Sequence, residues 1–431
     1  MTRTMKDSGV EWIGEVPEQW ILAKLKYNCS GFQNGSSQTQ LNSDISNYPV
    51  TRIETISTGK IDFDKVGYVE NINNNYLLKK NDFLISNINS IANLGNNAIF
   101  DSDRPLYHGM NLLKITPKFV YPKFLYYYFN SGIFRTNMQI LCKPAINQAS
   151  VSASNIKNIK MPFPPLPEQQ AIADYLDDKC AQIDNITATI NEQIEVLKQY
   201  KKSVITEAVT KGLDPNVPMK DSGVEWIGQI PETWEVGRIK HSFKMVNGAT
   251  PTSTISEFWD GEIIWITPAD MNDDGIIKTG KRNITNEGFQ SCGTNLVPTG
   301  SIIISTRAPI GKINIAQNPL CTNQGCKSLV SRKNNKYYYY YLISKKHILE
   351  FLGRGTTFLE LSGFDLNNFN IPVPSSSEQQ AIANYLDNKC TKIDAVIADK
   401  QAQLETLAAY KKSLIYEYVT GKKSVPGFEE A

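Results

Sequence analysis

The sequence predicts an α+β protein in which two mixed α/β domains with β-rich cores are separated by two long antiparallel coiled-coil helices, all within an internal pseudo-twofold repeat. Three observations predict it. The ten residues MKDSGVEWIG occupy positions 5–14 and return unchanged at 219–228. A second block, EQQAIADYLDDKCAQID at 168–184, returns as EQQAIANYLDNKCTKID at 378–394. Each second block opens a long stretch without Pro or Gly, while the segments between the repeats diverge almost completely, so the unit reads constant, variable, constant. At 431 residues, the chain is long enough for about three domains of ~150 residues.

The elements follow in order. Residues 1–26 form the N-terminal repeated segment, which matches 219–240 through the pairs Pro17/Pro231 and Trp20/Trp234. Residues 27–160 form the first variable domain. YPVTRIETI, NDFLISN and NNAIF read as its strands, and Tyr126, Tyr127 and Tyr128 form an aromatic cluster near its end. Residues 161–218 begin with MPFPPLP, too rich in proline for a helix or a central strand and therefore an extended connector. A helix is expected from Glu168 to Thr210, with Gly212 as its C-cap. The second repeated segment fills 219–240. In the second variable domain, 241–370, GEIIWIT, GSIIIST and GKINIA read as strands and Tyr337 to Tyr341 repeat the aromatic cluster. Those tyrosines either pack a helix on the sheet or stack bases. Residues 371–431 hold the second long helix, where Ser375 and Glu378 have capping-box spacing.

Apolar residues recur every seventh position along both helices: Leu176, Ile183, Ile190, Leu197 and Val204 in the first, and Leu386, Ile393, Leu407 and Leu414 in the second, with Lys400 breaking one heptad. Ile186, Ile194 and Tyr200, with Val396, Leu404 and Tyr410, would complete the seam. Neither rod can bury its stripe alone, so the two are expected to pair, antiparallel if the copies are related by a pseudo-twofold axis.

Charge divides along the same lines. The variable segments hold 13 Lys and Arg against 8 Asp and Glu, and 13 against 10, whereas the repeated remainder is acidic. A basic variable surface on an acidic frame points to a polyanion for the first and to protein for the second. Other chemistry is thin. Seven cysteines without a Cys-x-x-Cys pair read as reduced thiols, and His108, His241 and His347 share no metal-ligand spacing. Gly311-Lys312 lacks the rest of a P-loop, Gly353-Arg354-Gly355 stands alone, and Asp177, Asp178 and Lys179 read as a solvated helix face. No catalytic residues and no metal site are therefore expected. With no apolar run near ~20 residues and no apolar N-terminal leader, a cytoplasmic protein is expected.

The twin DSGVEWIG segments, PPLPEQQAIADYLD with its copy IPVPSSSEQQAIANYLD, and the exits YKKSVITEAVTKG and YKKSLIYEYVTG together resemble the specificity subunit of type I restriction-modification enzymes. WITPADM and ISTRAPIGK in the second variable segment look like its target recognition domain motifs. The resemblance implies a non-catalytic DNA-recognition subunit in which each variable domain reads one half of a split, asymmetric target on double-stranded DNA. It also implies docking of two adenine-N6 methyltransferase subunits that carry S-adenosylmethionine, and of restriction and translocase subunits that use ATP and Mg2+, with no cofactor bound by this chain. Amide and guanidinium groups read adenine and guanine edges, while Lys and Thr hold phosphates. The expected contacts are Arg52, Asn87, Asn89 and His108 in the first domain, and Thr267, Arg307, Lys312, Asn323 and Gln324 in the second. A pseudo-symmetric coiled-coil scaffold that binds only proteins is the alternative.

Overall fold

The computed structural model describes residues 3–41, 48–145, 148–331, 335–355 and 359–428. The chain folds as two units, residues 1–190 with 401–431 and residues 191–400. Each unit combines one variable segment, the first part of the long helix that follows it, and the last part of the other long helix.

The long helices run Leu166–Lys211 and Ser376–Val419. Ser375 and Glu378 do form a capping box: Ser375 Oγ accepts from Glu378 N at 3.3 Å, and Glu378 Oε2 accepts from Ser375 N at 3.1 Å. Gly212 and Gly421 follow the two C-termini with φ of +80° and +72°. In the first unit Leu176 and Ile183, from the start of the first helix, share a core with Leu414, Ile415 and Val419 from the end of the second. In the second unit Ile205 and Val209 share a core with Ile382 and Leu386. Start packs against end in both, which makes the pairing antiparallel within each unit. Lys411 Nζ to Asp184 at 2.6 Å and Lys201 Nζ to Asp394 at 2.8 Å flank the two contacts.

Leu176, Ile183, Ile190, Leu386, Ile393 and Leu414 are buried, while Leu197, Val204 and Leu407 are half-buried. A strict seven-residue spacing drifts by ~20° per heptad on a straight helix, so the buried line passes to neighbours such as Ile194 and Ile205. The expected extension of the seam is corrected at Ile186, Tyr200, Val396 and Tyr410, which face outward and are about half exposed.

The first variable domain has a four-stranded antiparallel sheet in the order Cys29–Asn34, Leu112–Pro117, Phe83–Ser86, Asn97–Ile99. The second repeats that order with Lys244–Asn247, Cys326–Val330, Ile302–Ser305 and Ile313–Ala316, then adds Ile276–Ile277 in parallel. The central strands are buried on both faces, which is why FLIS and IIIS read as unbroken apolar runs. Phe83 and Ile85 point to the core shared with the long helices and Leu84 to a smaller one behind; Ile302, Ile304 and Ile303 divide in the same way. On the inner face lie the helices Pro122–Asn130 and Asn335–Ser344, whose tyrosines are packed rather than presented to solvent. The proline-rich connector is extended as expected, but Lys160–Phe163 also pairs with Ile21–Lys24 as a two-stranded ribbon, where Pro162 is tolerated at an edge. Asn370–Val373 pairs with Glu235–Arg238 in the second unit.

Candidate nucleic-acid interface

In each domain a cluster of loops gathers at one end of the sheet, opposite the end from which the chain enters the tyrosine helix. Its pivot is a glycine. A Cβ at Gly248 would lie 2.1 Å from the Asn323 carbonyl oxygen, and one at Gly35 would lie 2.3 Å from those of His108 and Gly109. Only glycine allows the two backbones to approach so closely.

In the second unit, Ala249 N donates to Thr322 O at 2.9 Å and Asn323 N to Ile266 O at 2.8 Å, tying three loops together. Gly325 O accepts from Thr306 N at 2.8 Å, and Leu361 N donates to Thr306 O at 2.8 Å, which brings in two more. The expected residues converge here, in different roles. Thr267 is half-buried and caps its own turn, its backbone N and Oγ1 both donating to Asp270 Oδ2 at 2.8 and 2.6 Å. Asn323 Oδ1 accepts from Gly325 N at 3.0 Å. Lys312 Nζ donates to the Pro268 and Met271 carbonyls at 3.2 and 2.7 Å, which spends a cation on holding two loops together. Gln324 is exposed and accepts from Thr250 Oγ1, and Arg307 is exposed and paired with Glu360 at 3.2 Å. Arg354, not anticipated, is 79% exposed beside Asp365 on the same cluster.

The first unit departs further from expectation. Arg52 is exposed and donates from Nε to Gln40 Oε1, beside Gln38, whose Nε2 donates to Asn71 Oδ1 at 3.1 Å. His108 is fully enclosed, so its ring is not a surface contact: Nε2 donates to Leu112 O at 2.9 Å and Nδ1 has no partner. Burial, opposed in part by the Leu112 bond, holds the imidazole down at about 4, and it is neutral at pH 7. Asn87 is buried and donates to Val151 O at 3.1 Å. Asn89 is half-buried and donates to Ser86 Oγ at 3.0 Å. Both sit by the small sheet of Ile88–Asn89, Gln148–Ser150 and Lys143–Ala145 rather than with Arg52. Gln38, Gln40 and Asn71 were missed. The signal that could have found them is the Asn-Gly pair that opens the loop in both copies, Asn34-Gly35 and Asn247-Gly248.

Among the described residues no group of His, Cys, Asp and Glu could hold a metal ion, and no helix is long and apolar enough to cross a membrane. The seven cysteines are free thiols, and burial pushes Cys29, Cys321 and Cys326 up to about 12, away from reactivity.

Each of the two similar domains presents a glycine-pivoted cluster of amide and guanidinium side chains. Residues 26–196 and 231–406 match the type I restriction modification DNA specificity domain. The MjaX type I restriction enzyme specificity subunit of Methanocaldococcus jannaschii is 36% identical over 423 residues, 95% of each chain. Among solved structures, a chain from work on complex assembly and conformational transition of the type I R-M system superposes with a TM-score of 0.76 at 19% identity, covering 95% of this chain and 99% of that one. The HsdS subunit from Thermoanaerobacter tengcongensis does so with a TM-score of 0.54 at 18% identity, covering 95% and 98%. The chain belongs to the type I restriction-modification specificity family. Its role there is DNA sequence recognition, and catalysis lies in other subunits.

Proposed function

We propose that the first unit's loop cluster reads one half of a split, asymmetric sequence on double-stranded DNA and the second unit's cluster reads the other, with the long helices setting the spacer between them. The observation that carries this reading is one frame bearing two unlike loop clusters: the four-strand order and the glycine pivot are common to both, whereas Gln38, Gln40, Arg52 and Asn71 have no counterparts among Thr250, Arg307, Gln324 and Arg354. Unlike readers imply unlike half-sites. A 46-residue helix is ~69 Å long, ample for half-sites one duplex turn, ~34 Å, apart.

Two copies of an adenine-N6 methyltransferase subunit would dock on the repeated frame, where Ile186 and Tyr200 in one copy and Val396 and Tyr410 in the other leave matching apolar positions exposed. S-adenosylmethionine would belong to those subunits, and ATP with Mg2+ to a restriction and translocase subunit, all in the cytoplasm. Single-molecule methylation mapping of the host genome with and without the gene tests the reading. A split adenine-methylated motif that vanishes on deletion is expected; an unaltered methylome in a strain with active methylation would refute it.

A further inference from the structure

Besides the strand order and the glycine pivot, the variable segments agree where they grip the long helices. Each tyrosine helix carries a lysine and, four residues on, a tyrosine, and both side chains meet one aspartate of the repeated block. Tyr127 Oη donates to Asp177 Oδ1 at 2.6 Å and Lys123 Nζ pairs with Oδ2 of the same carboxylate. In the second unit Tyr340 Oη donates to Asp387 Oδ1 at 2.9 Å and Lys336 Nζ pairs with Oδ2. One residue on, Tyr128 Oη donates to Lys160 O at 3.2 Å and Tyr341 Oη to Asn370 O at 2.9 Å, on the ribbons that lead into the long helices. Ser131 and Ser344 close the two tyrosine helices with the same bond, to Tyr128 O and Tyr341 O.

Packing alone does not call for these hydroxyls, since Phe124 and Phe129 fill neighbouring positions without one. Tyr127 and Tyr340 are buried along their rings, and a phenol held against a carboxylate is a strong, directional bond. It resists rotation of the domain about the helix where apolar contact would let it slip. The sheet separates this joint from the loop cluster: in the first unit Cys29, in the core shared with the long helices, starts a six-residue strand that ends at Asn34 beside the glycine pivot. Over a strand of ~20 Å, an angular play of ~10° moves the loops by about 3.5 Å, close to the ~3.4 Å rise of one base pair.

We propose that Tyr127 with Asp177, and Tyr340 with Asp387, are positioning residues that fix the angle of each recognition domain on its helix and thereby the stringency with which spacer length is selected. The inference rests on the split-site reading above. The test uses the full chain co-expressed with its methyltransferase subunit and a pool of duplexes whose half-sites are randomised and whose spacers vary by one and two base pairs around the preferred length. Wild type, Y127F, Y340F and the double variant are compared by methylation sequencing, with thermal unfolding as a check on folding. The double variant is expected to keep both half-site preferences while its discrimination against a spacer one base pair too long or too short falls about tenfold. An unchanged spacer profile in a folded double variant would overturn the positioning role alone, as would loss of half-site reading together with spacing. Should wild type select no split sequence at all, the split-site reading fails and this role with it.

Discussion

The two units share a four-strand order, a helix pinned by the same tyrosines and a glycine at the same turn, yet each adds different material to the sheet. The first adds the hairpin of Tyr48–Val50 with Gly67–Val69 and a small core of Val50, Val69 and Tyr107 around it. The second adds a parallel fifth strand and a separate sheet around Trp259 and Trp265, whose rings meet edge to face at 5.2 Å. What is retained is what fixes the domain to the helices and lets two loops touch; what differs is what those loops present. A recognition surface can therefore diverge freely provided the joint and the pivot do not.

That comparison breaks most sharply at the pivots. Gly35→Ala and Gly248→Ala each drive a Cβ into backbone carbonyl oxygens that no side-chain rotation can relieve. Each is expected to cost about 3 kcal/mol or more, seen as a lowered urea midpoint of the unit concerned. A loss below about 1 kcal/mol in either would show that the loops of that unit are not held together at the glycine.

Acid should separate the two units, since only the first encloses a histidine. Nδ1 of His108 faces no protein acceptor, so protonation would place a second N–H, and a charge, in a fully buried site. The folded-state value, about 4, lies below that of the unfolded chain, ~6.5, so the unfolded state binds the proton first. The stabilisation is complete above pH ~6.5 and is lost as pH falls toward 4, a drop of about 3 kcal/mol confined to the first unit. Unfolding followed by hydrogen exchange from pH 7 to 4 would show strands of the first domain losing protection ahead of those of the second. Simultaneous loss in both would place the acid sensitivity elsewhere.

Much of the frame was legible because it was written twice. The helices, their antiparallel pairing and the strands FLISN, GSIIIST and GKINIA follow from repetition and from apolar runs, which report burial directly. The recognition surface was less so, for a physical reason. Asn, Thr, Lys and His serve turns and buried bonds as readily as they serve DNA, and sequence alone does not say which way a side chain points. His108 turned inward to Leu112, Asn87 to Val151 and Lys312 to two carbonyls, while Gln38 and Gln40 stand in a polar run marked only by Asn34-Gly35, and Arg354 in the isolated Gly353-Arg354-Gly355. The outward faces of Ile186 and Tyr200 escaped for the opposite reason, since a heptad on paper does not drift and a straight helix does.

The smallest expected effect distinguishes two cations that lie a few residues apart. Arg307 is exposed and held by Glu360, ready to exchange a carboxylate for a base edge or a phosphate, so Arg307→Ala should cost about 1–3 kcal/mol in binding and relax one half-site only. Lys312 has its ammonium on the Pro268 and Met271 carbonyls, so Lys312→Met removes bonds inside the protein. It should lower stability by about 1–2 kcal/mol while leaving the dependence of DNA binding on salt unchanged. Anisotropy titrations across a salt series measure both. If Lys312→Met instead reduced the salt slope by about one, the lysine would be neutralising a phosphate, and the loops it joins would have to open to release it.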